Sequence, residues 1–213
     1  MNENLTELVF ILDRSGSMCG MEEDTIGGFN SMLDKQKKEP GDALVTTVLF
    51  DNEYETLHDR APLQCVRAMT ANDYSARGST ALLDAVGRAI SLIRIAQKHT
   101  PEAERPGKTV VVIITDGYEN SSREYSIEQV REMISKQTGL GWEFLFLGAN
   151  MDAVQAAGRM NIRADRAATY RPDGAGTRAN YDAVDMAIRY SRAGRHFSDE
   201  WRAPVDERNN RDY

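Results

Sequence analysis

Cysteine is scarce in this chain, which has two cysteines in 213 residues. Cys19 and Cys65 are far apart, form no C-x-x-C pair and belong to no Cys/His cluster. The sequence therefore indicates neither a disulfide framework nor a structural zinc site. We expect both thiols to be buried or half-buried.

Long apolar runs are also missing. No stretch approaches the roughly 20 apolar residues that a membrane-spanning helix needs. The first four residues, Met1 to Asn4, carry no basic segment followed by a small-residue cleavage pattern. We therefore expect a cytoplasmic protein without a membrane partner.

Positive charge is in deficit, because 26 Lys and Arg residues face 33 Asp and Glu residues, giving a formal net charge of -7. This balance argues against a general attraction to nucleic acid or to anionic membrane surfaces, and cationic partners are the better electrostatic match.

The hydrophobic content of 41% is enough to bury a substantial core, and the length is typical of one domain.

The common catalytic motifs are absent as well. The sequence contains no G-x-x-x-x-G-K-[ST] loop, no H-E-x-x-H and no G-x-S-x-G. His58, His99 and His196 have no carboxylate or serine partner at a recognisable spacing. We therefore predict that the chain is not an enzyme, with a metal-dependent hydrolase as an alternative.

What the sequence does contain is an alternation of apolar runs and amphipathic segments. The runs predict strands at 8–12, 43–50, 54–58, 109–115, 142–147 and 167–170. Helical spacing predicts helices at 21–38, 81–99, 127–138 and 152–160, and a last helix containing Tyr181, Val184 and Ile188 after a loop at 172–176.

This alternation predicts a doubly wound, Rossmann-like α/β fold, in which a mostly parallel sheet carries helices on both faces. The run 54–58 follows its neighbour after only three residues, which predicts a hairpin and hence one antiparallel edge strand. We place one domain at 1–198. Residues 199–213 are polar and contain Pro204, so we predict a C-terminal tail that packs through Phe197 and Trp201 at most before fraying.

Short oxygen-bearing side chains follow the predicted strands or precede a helix. They are Asp13, Ser15, Ser17, Thr80 and Asp116. Because the carboxyl ends of parallel strands share one edge of a sheet, we expect these five side chains to converge there. Oxygen donors without sulfur or imidazole suit a hard divalent cation, Mg²⁺ first, with Mn²⁺ and Ca²⁺ as alternatives and zinc as a poor match.

Each part of this set also has an ordinary structural explanation. Ser17 and Thr80 are suitable helix caps, and Asp116 followed by glycine is a typical turn. The joint occurrence of all the parts at the proper strand ends favours the cation site. Nearby, we assign Asp84 to a helix-dipole role, and Glu119 and Asn120 to a solvated loop.

Three motifs together resemble those of a von Willebrand factor type A (vWA) domain, in the style of the bacterial stand-alone members. They are Asp13-Arg14-Ser15-Gly16-Ser17, the segment 78–85 around Thr80, and Thr115-Asp116-Gly117. The resemblance covers approximately residues 5 to 195 and implies a sheet of about six strands with a short antiparallel edge strand. It also implies an intact metal-ion-dependent adhesion site (MIDAS).

In that site Ser15, Ser17 and Thr80 would contact the metal through their hydroxyls, directly or through water. Asp13 and Asp116 would lie close by, bridging through water. The function implied is divalent-metal-dependent protein binding, in which an Asp or Glu of the partner protein fills the remaining metal position. A hydrolase and a scaffold subunit of an ATPase-associated complex are the alternatives, and no nucleic acid partner is expected.

Overall fold

The computed structural model describes residues 1–195 and 198–210. The strands are β1 (Asn2–Asp13), β2 (Asp42–Phe50), β3 (Tyr54–Pro62), β4 (Pro106–Thr115), β5 (Trp142–Ala149) and β6 (Ala167–Tyr170). The α-helices are α1 (Glu22–Gln36), α2 (Leu82–His99), α3 (Ile127–Thr138), α4 (Ala153–Arg159), α5 (Gly174–Arg192) and α6 (Ala203–Asn210).

The six strands form one sheet in the order β3-β2-β1-β4-β5-β6. Every neighbouring pair is parallel except β2 and β3, which are antiparallel and place β3 at the edge. The central strands β1, β4 and β5 carry nearly continuous apolar runs, as expected of parallel strands that are covered on both faces. The predicted doubly wound fold with one antiparallel edge strand is confirmed.

Two hydrophobic layers cover the sheet, because successive side chains of a strand point to opposite faces. Leu8, Phe10 and Leu12 of β1 pack with side chains of α1, α5 and α6. Val9 and Ile11 pack with side chains of α2, α3 and α4 on the other face. Both faces of the sheet are therefore occupied by helices, which leaves the strand ends as the places where functional groups can gather.

Strand β1 begins at Asn2, six residues before the apolar run that starts at Leu8. The added part of the strand contains a charged residue, Glu7, whose charge is paired. Glu7 is fully buried. Its carboxylate accepts hydrogen bonds from Arg60 Nε and Nη2 at 2.8–3.1 Å. Such a bidentate pair allows a carboxylate to sit inside the sheet, and an apolar pattern cannot reveal it.

Helix α5 begins at Gly174, inside the segment 172–176 that we predicted to be a loop. Asp173 is the N-cap, and its Oδ1 accepts a hydrogen bond from the backbone N–H of Gly176 at 2.6 Å. A capping aspartate stabilises the first turn even when glycines fill it. The predicted helix 127–138 is confirmed, and the side chains of Ser126 and Gln129 form a capping box at its start.

The C-terminal segment continues after Trp201 as α6, contrary to our prediction that it frays beyond that residue. Trp201 is fully buried, and its Nε1 donates a hydrogen bond to the carbonyl of Asp165 at 2.9 Å. Val205 of α6 is also buried, and Arg208 pairs with Asp173 at 3.0 Å. Pro204 stands in the first turn of α6, where proline is tolerated. Phe197 lies outside the described residues.

Both cysteines are exposed, which corrects the prediction of buried or half-buried thiols. Cys19 follows a short 3₁₀ turn at Gly16–Met18, and Cys65 ends another at Leu63–Cys65. Neither thiol lies on a strand or helix face that packs against the core. Among the described helices, none has the length and apolar character required to cross a bilayer.

The docked C-terminal segment leads to a stability prediction. Replacing Trp201 by Ala should lower the free energy of unfolding by about 3–5 kcal/mol, since a fully buried indole is lost from the core. A chain ending at residue 198 should lose at least as much. Urea unfolding followed by circular dichroism measures both, with a chain ending at residue 210 as the control. Equal unfolding midpoints for the chains ending at 198 and 210 would show that the segment is dispensable and that the predicted boundary at 198 is sound.

Candidate metal centre

The parallel pairing of β1 with β4 brings the candidate residues to one edge of the sheet. Leu12 pairs with Ile114, so the residues that follow them, Asp13 and Thr115-Asp116, leave the sheet side by side. Ser15 and Ser17 lie in the turn after β1, and Thr80 lies two residues before α2.

The hydroxyls and carboxylates of these residues lie within or near hydrogen-bonding distance of one another. Ser15 Oγ and Ser17 Oγ are 3.0 Å apart, and Ser17 Oγ donates a short hydrogen bond to Asp116 Oδ1. A Cβ placed on Gly117 would lie 3.1 Å from Thr80 Oγ1 and 3.2 Å from Ser17 Oγ. Gly117 thus lets the chain pass close to two of the hydroxyls.

Hydrogen bonds fix the position of Asp13 beside these hydroxyls. Its Oδ1 accepts the backbone N–H of Ser15 at 2.6 Å, and its Oδ2 accepts the hydroxyl of Thr115 at 2.5 Å. The hydroxyl of Tyr74 donates to the backbone carbonyl of Asp13 at 2.5 Å. Asp13, Ser15, Thr80 and Asp116 are buried, and Ser17 is exposed. The cluster is therefore accessible from solvent on the side of Ser17.

Burial sets the electrostatics of the two carboxylates. It raises the pKa of Asp13 to about 6, against the opposing effect of hydrogen bonds from Thr115 and Ser15, and the nearby charge of Asp116 adds to the increase. Burial also raises the pKa of Asp116, opposed by its hydrogen bond from Ser17. Both ionised forms would gain from a nearby cation.

The residues fit a hard divalent cation. Asp116 Oδ2 is buried and has no hydrogen-bond partner among the described residues, which is costly for an acceptor unless something else binds it. Two carboxylates balance the charge of such an ion, and three hydroxyls add neutral oxygen donors. In the described part of the chain, no group of three or more His, Cys, Asp or Glu side chains is placed to hold a metal. Hydroxyl groups would therefore have to complete the coordination.

Two residues that we assigned to a solvated loop support Thr80 and the start of α2. Asn120 Oδ1 accepts the N–H of Thr80 at 2.9 Å, and the N–H of Asn120 donates to the carbonyl of Thr80 at 3.1 Å. Glu119 Oε2 accepts the N–H of Leu83 at 2.9 Å. These contacts join the loop after β4 to the segment before α2.

Asp84 also does more than complement the dipole of α2. Its carboxylate accepts backbone N–H groups from three successive residues, Arg123, Glu124 and Tyr125, at 2.8–2.9 Å. Asp84, Glu119 and Asn120 thus make contacts beyond the dipole and loop roles that we assigned to them. Their partners are about 40 residues away in sequence, so no local pattern could have identified them.

An arginine pair that sequence reasoning missed links the other two loops. Arg14 Nε and Arg77 Nε both contact Asp51 Oδ2, at 3.1 and 2.8 Å, and Arg14 Nη1 contacts Glu55 at 2.6 Å. In addition, the N–H of Arg77 donates to the carbonyl of Arg14 at 2.8 Å. The turn that carries Ser15 is therefore tied to the segment that carries Thr80. The position of Arg14 within the D-x-S-x-S motif was the only signal for this role.

An apolar cavity of about 280 Å³ opens beside the cluster. Its lining includes Gly117 and Tyr118 from the loop after β4, Leu83 from α2 and Ile127 from α3. Tyr118 is 54% exposed although it lies two residues from Asp116. The loop after β4 therefore presents apolar surface next to the polar cluster.

Comparison with known proteins identifies the fold. No family model and no curated protein matches the sequence. Among solved structures, proximal thread matrix protein 1 (PTMP1) from the mussel byssus is 14% identical, with a TM-score of 0.59 over 88% of this chain and 46% of that chain. A von Willebrand factor type A protein from Catenulispora acidiphila is 15% identical, with a TM-score of 0.53 over 85% of this chain and 42% of that one.

The VWA domain of SpRpn10 is 13% identical, with a TM-score of 0.53 over 84% of this chain and 94% of that domain. The chain thus matches less than half the length of PTMP1 and of the Catenulispora protein, and nearly the whole SpRpn10 domain. These likenesses confirm that the chain has the vWA fold. A further PTMP1 structure is described as having a zinc-occupied MIDAS motif, at 15% identity and a TM-score of 0.54 over 79% of this chain and 42% of that chain.

The buried carboxylates predict how the metal-free protein responds to pH. The pKa of Asp13 in the folded state is about 6, above its ordinary value of 3.8, so the folded protein binds this proton more tightly than the unfolded chain does. The resulting stability is fully present below the ordinary pKa and is lost as the pH rises through about 6. The loss should be roughly 2–3 kcal/mol.

Urea unfolding in metal-depleted buffer between pH 4 and pH 7 measures this loss. Asp13→Asn cannot ionise at this position, so the variant should show a smaller decrease of stability with rising pH. The same pH dependence in the wild type and the variant would contradict the prediction.

Proposed function

We propose that this chain is a divalent-metal-dependent protein-binding module that recognises an acidic side chain of a partner through a MIDAS. The observation that carries the proposal is the convergence of two buried carboxylates and three hydroxyls at one sheet edge, with Asp116 Oδ2 unpartnered. Ser15, Ser17 and Thr80 would hold the ion through hydroxyl oxygens. Asp13 and Asp116 would balance its charge and orient the hydroxyls.

The charge balance of the site favours an anionic partner group. Three of the five side chains are neutral hydroxyls that would contact the ion directly, while the two carboxylates would act through water. The ion would thus keep enough positive character to attract one further carboxylate. The exposed side chain of Ser17 marks the accessible side. A bridging cation also explains how a chain with a net charge of -7 could bind an acidic protein segment.

Mg²⁺ is the proposed ion, because the donor set is all oxygen. Mn²⁺ and Ca²⁺ remain alternatives. Zinc, which we considered a poor match from the sequence, must be tested as well, since a MIDAS motif of PTMP1 is described with zinc.

The apolar cavity beside the site suggests a second element of recognition. Gly117 lines this cavity and also lies beside the hydroxyls of Thr80 and Ser17. A partner segment that places its carboxylate at the ion could insert a neighbouring apolar side chain there. Burial of such a side chain would add affinity that the charge contact alone does not provide.

The alternatives are a metal-dependent hydrolase and a scaffold subunit of an ATPase-associated complex. A hydrolase needs a general base near the ion. Of the histidines in the described residues, His58 lies on β3 beside Thr47, and His99 ends α2. Neither histidine is therefore positioned as that base, and a hydrolase would have to use one of the carboxylates of the site. Bacterial origin and cytoplasmic location remain predictions.

Isothermal titration calorimetry with Mg²⁺ tests the metal site. Asp13→Ala and Ser15→Ala should each weaken binding roughly 10–100-fold, because one removes a charge and the other a hydroxyl donor. Gly117→Ala should also weaken it, since the added Cβ would press on Thr80 Oγ1 and Ser17 Oγ. Mn²⁺, Ca²⁺ and zinc titrations establish the preferred ion.

Gly158→Ala is the matched control, because a Cβ at that position meets nothing within 4 Å. This variant should bind Mg²⁺ like the wild type. Equal affinity of the wild type, Asp13→Ala and Ser15→Ala would eliminate the proposed site.

A pull-down from cell extract tests partner recognition. A partner bound through the ion should be retained in Mg²⁺ buffer and released by chelator, and Asp13→Ala should not retain it. Mass spectrometry of the released fraction then identifies the partner and shows whether it belongs to an ATPase complex. A partner retained equally with and without chelator would contradict metal-bridged recognition.

A further inference from the structure

A second cavity lies at the opposite edge of the sheet, where β4 and β5 begin. Its volume is about 630 Å³, and it is enclosed by the last turns of α2, the segment leading into β4 and the turn between α3 and β5. This volume falls within the range of about 300–1,000 Å³ that is typical of small-molecule sites. The candidate metal centre lies at the carboxyl ends of the strands.

Four cationic side chains line this cavity. They are Arg94, Lys98, Arg105 and Lys136. No Asp or Glu belongs to the lining, and none of the four forms an ion pair within the described ranges 1–195 and 198–210. This grouping stands out in a chain that carries seven more acidic than basic residues.

The positions of these cations keep their charges close together. Arg94 and Lys98 are four residues apart on α2 and therefore repel each other on the same face of the helix. Arg105 Nη2 donates to the carbonyl of Thr100 at 3.2 Å, whereas its Nε is buried and has no hydrogen-bond partner among the described residues. A bound anion would relieve the repulsion between Arg94 and Lys98.

Apolar side chains complete the lining. Met1, Ile95 and Leu140 are 63%, 58% and 70% exposed, and they are three of the six large exposed hydrophobic residues in the described part of the chain. Trp142, at the start of β5, also lines the cavity. A cluster of exposed apolar groups in a concave surface is typical of a binding site.

We propose that this cavity binds a small organic anion with an apolar body, a phosphate or carboxylate that carries an alkyl or aromatic group. The cations recognise the anionic group, and the apolar side chains with Trp142 contact the body. The site is independent of the metal centre, because no residue is shared between them. The proposal therefore does not rest on the function proposed above.

Fluorescence titration with 8-anilinonaphthalene-1-sulfonate, an aromatic organic anion, tests the site. The dye should bind the folded protein at one site and be displaced by octyl phosphate. Inorganic phosphate and 1-octanol, each of which has only half of the required chemistry, should displace it far less. Binding should be unchanged by chelator and by Asp13→Ala, which separates this site from the metal centre.

The double variant Arg94→Gln/Lys98→Gln should raise the dissociation constant for the dye by at least about tenfold, since two charged contacts are lost. Lys38→Gln/Arg131→Gln is the matched control. It removes the same charge from exposed positions that do not line the cavity. All four substitutions affect exposed side chains, and circular dichroism verifies that each variant is folded.

Equal dye affinity in the cavity variant and the control would overturn the proposal. Displacement by inorganic phosphate as strong as that by octyl phosphate would overturn its apolar part. Displacement by 1-octanol as strong as that by octyl phosphate would overturn its anionic part.

Discussion

The parallel pairing of β1 with β4 is the constraint on which the candidate site depends. It fixes two carboxylates, Asp13 and Asp116, next to each other at strand ends where helices already cover both faces of the sheet. Burial there raises the pKa of both groups. The fold thus buries two carboxyl groups at a cost to their ionised forms. Hydrogen bonds from nearby hydroxyls offset part of this cost.

Much of this arrangement could be predicted from sequence, because it depends on local patterns. Unbroken apolar runs indicate buried parallel strands, and the short link between β2 and β3 indicates a hairpin. The order of strand ends then brings Asp13, Ser15, Ser17, Thr80 and Asp116 to one edge. Their convergence is now a structural fact, while their role as metal ligands remains a prediction.

Other features depend on contacts between distant parts of the chain, which local patterns do not carry. Glu7 was left out of β1 because its partner Arg60 lies 53 residues away. The C-terminal segment has a polar sequence, from which we predicted packing up to Trp201, and only the buried Val205 shows that the core extends further. Likewise, overall charge gave no sign of a basic cavity, because net charge does not describe how charges are distributed.

The shared carboxylate of Asp51 has a consequence for how the site could rearrange. Arg14 and Arg77 contact the same oxygen of Asp51, which ties the turn after β1 to the segment before α2. Moving either one alone would break an ion pair to a buried carboxylate. The loop after β4 is joined to the start of α2, because Asn120 Oδ1 accepts the N–H of Thr80 and Glu119 Oε2 accepts the N–H of Leu83. We therefore expect the turn with Ser15 and the segment with Thr80 to keep their relative position when the site meets an incoming carboxylate.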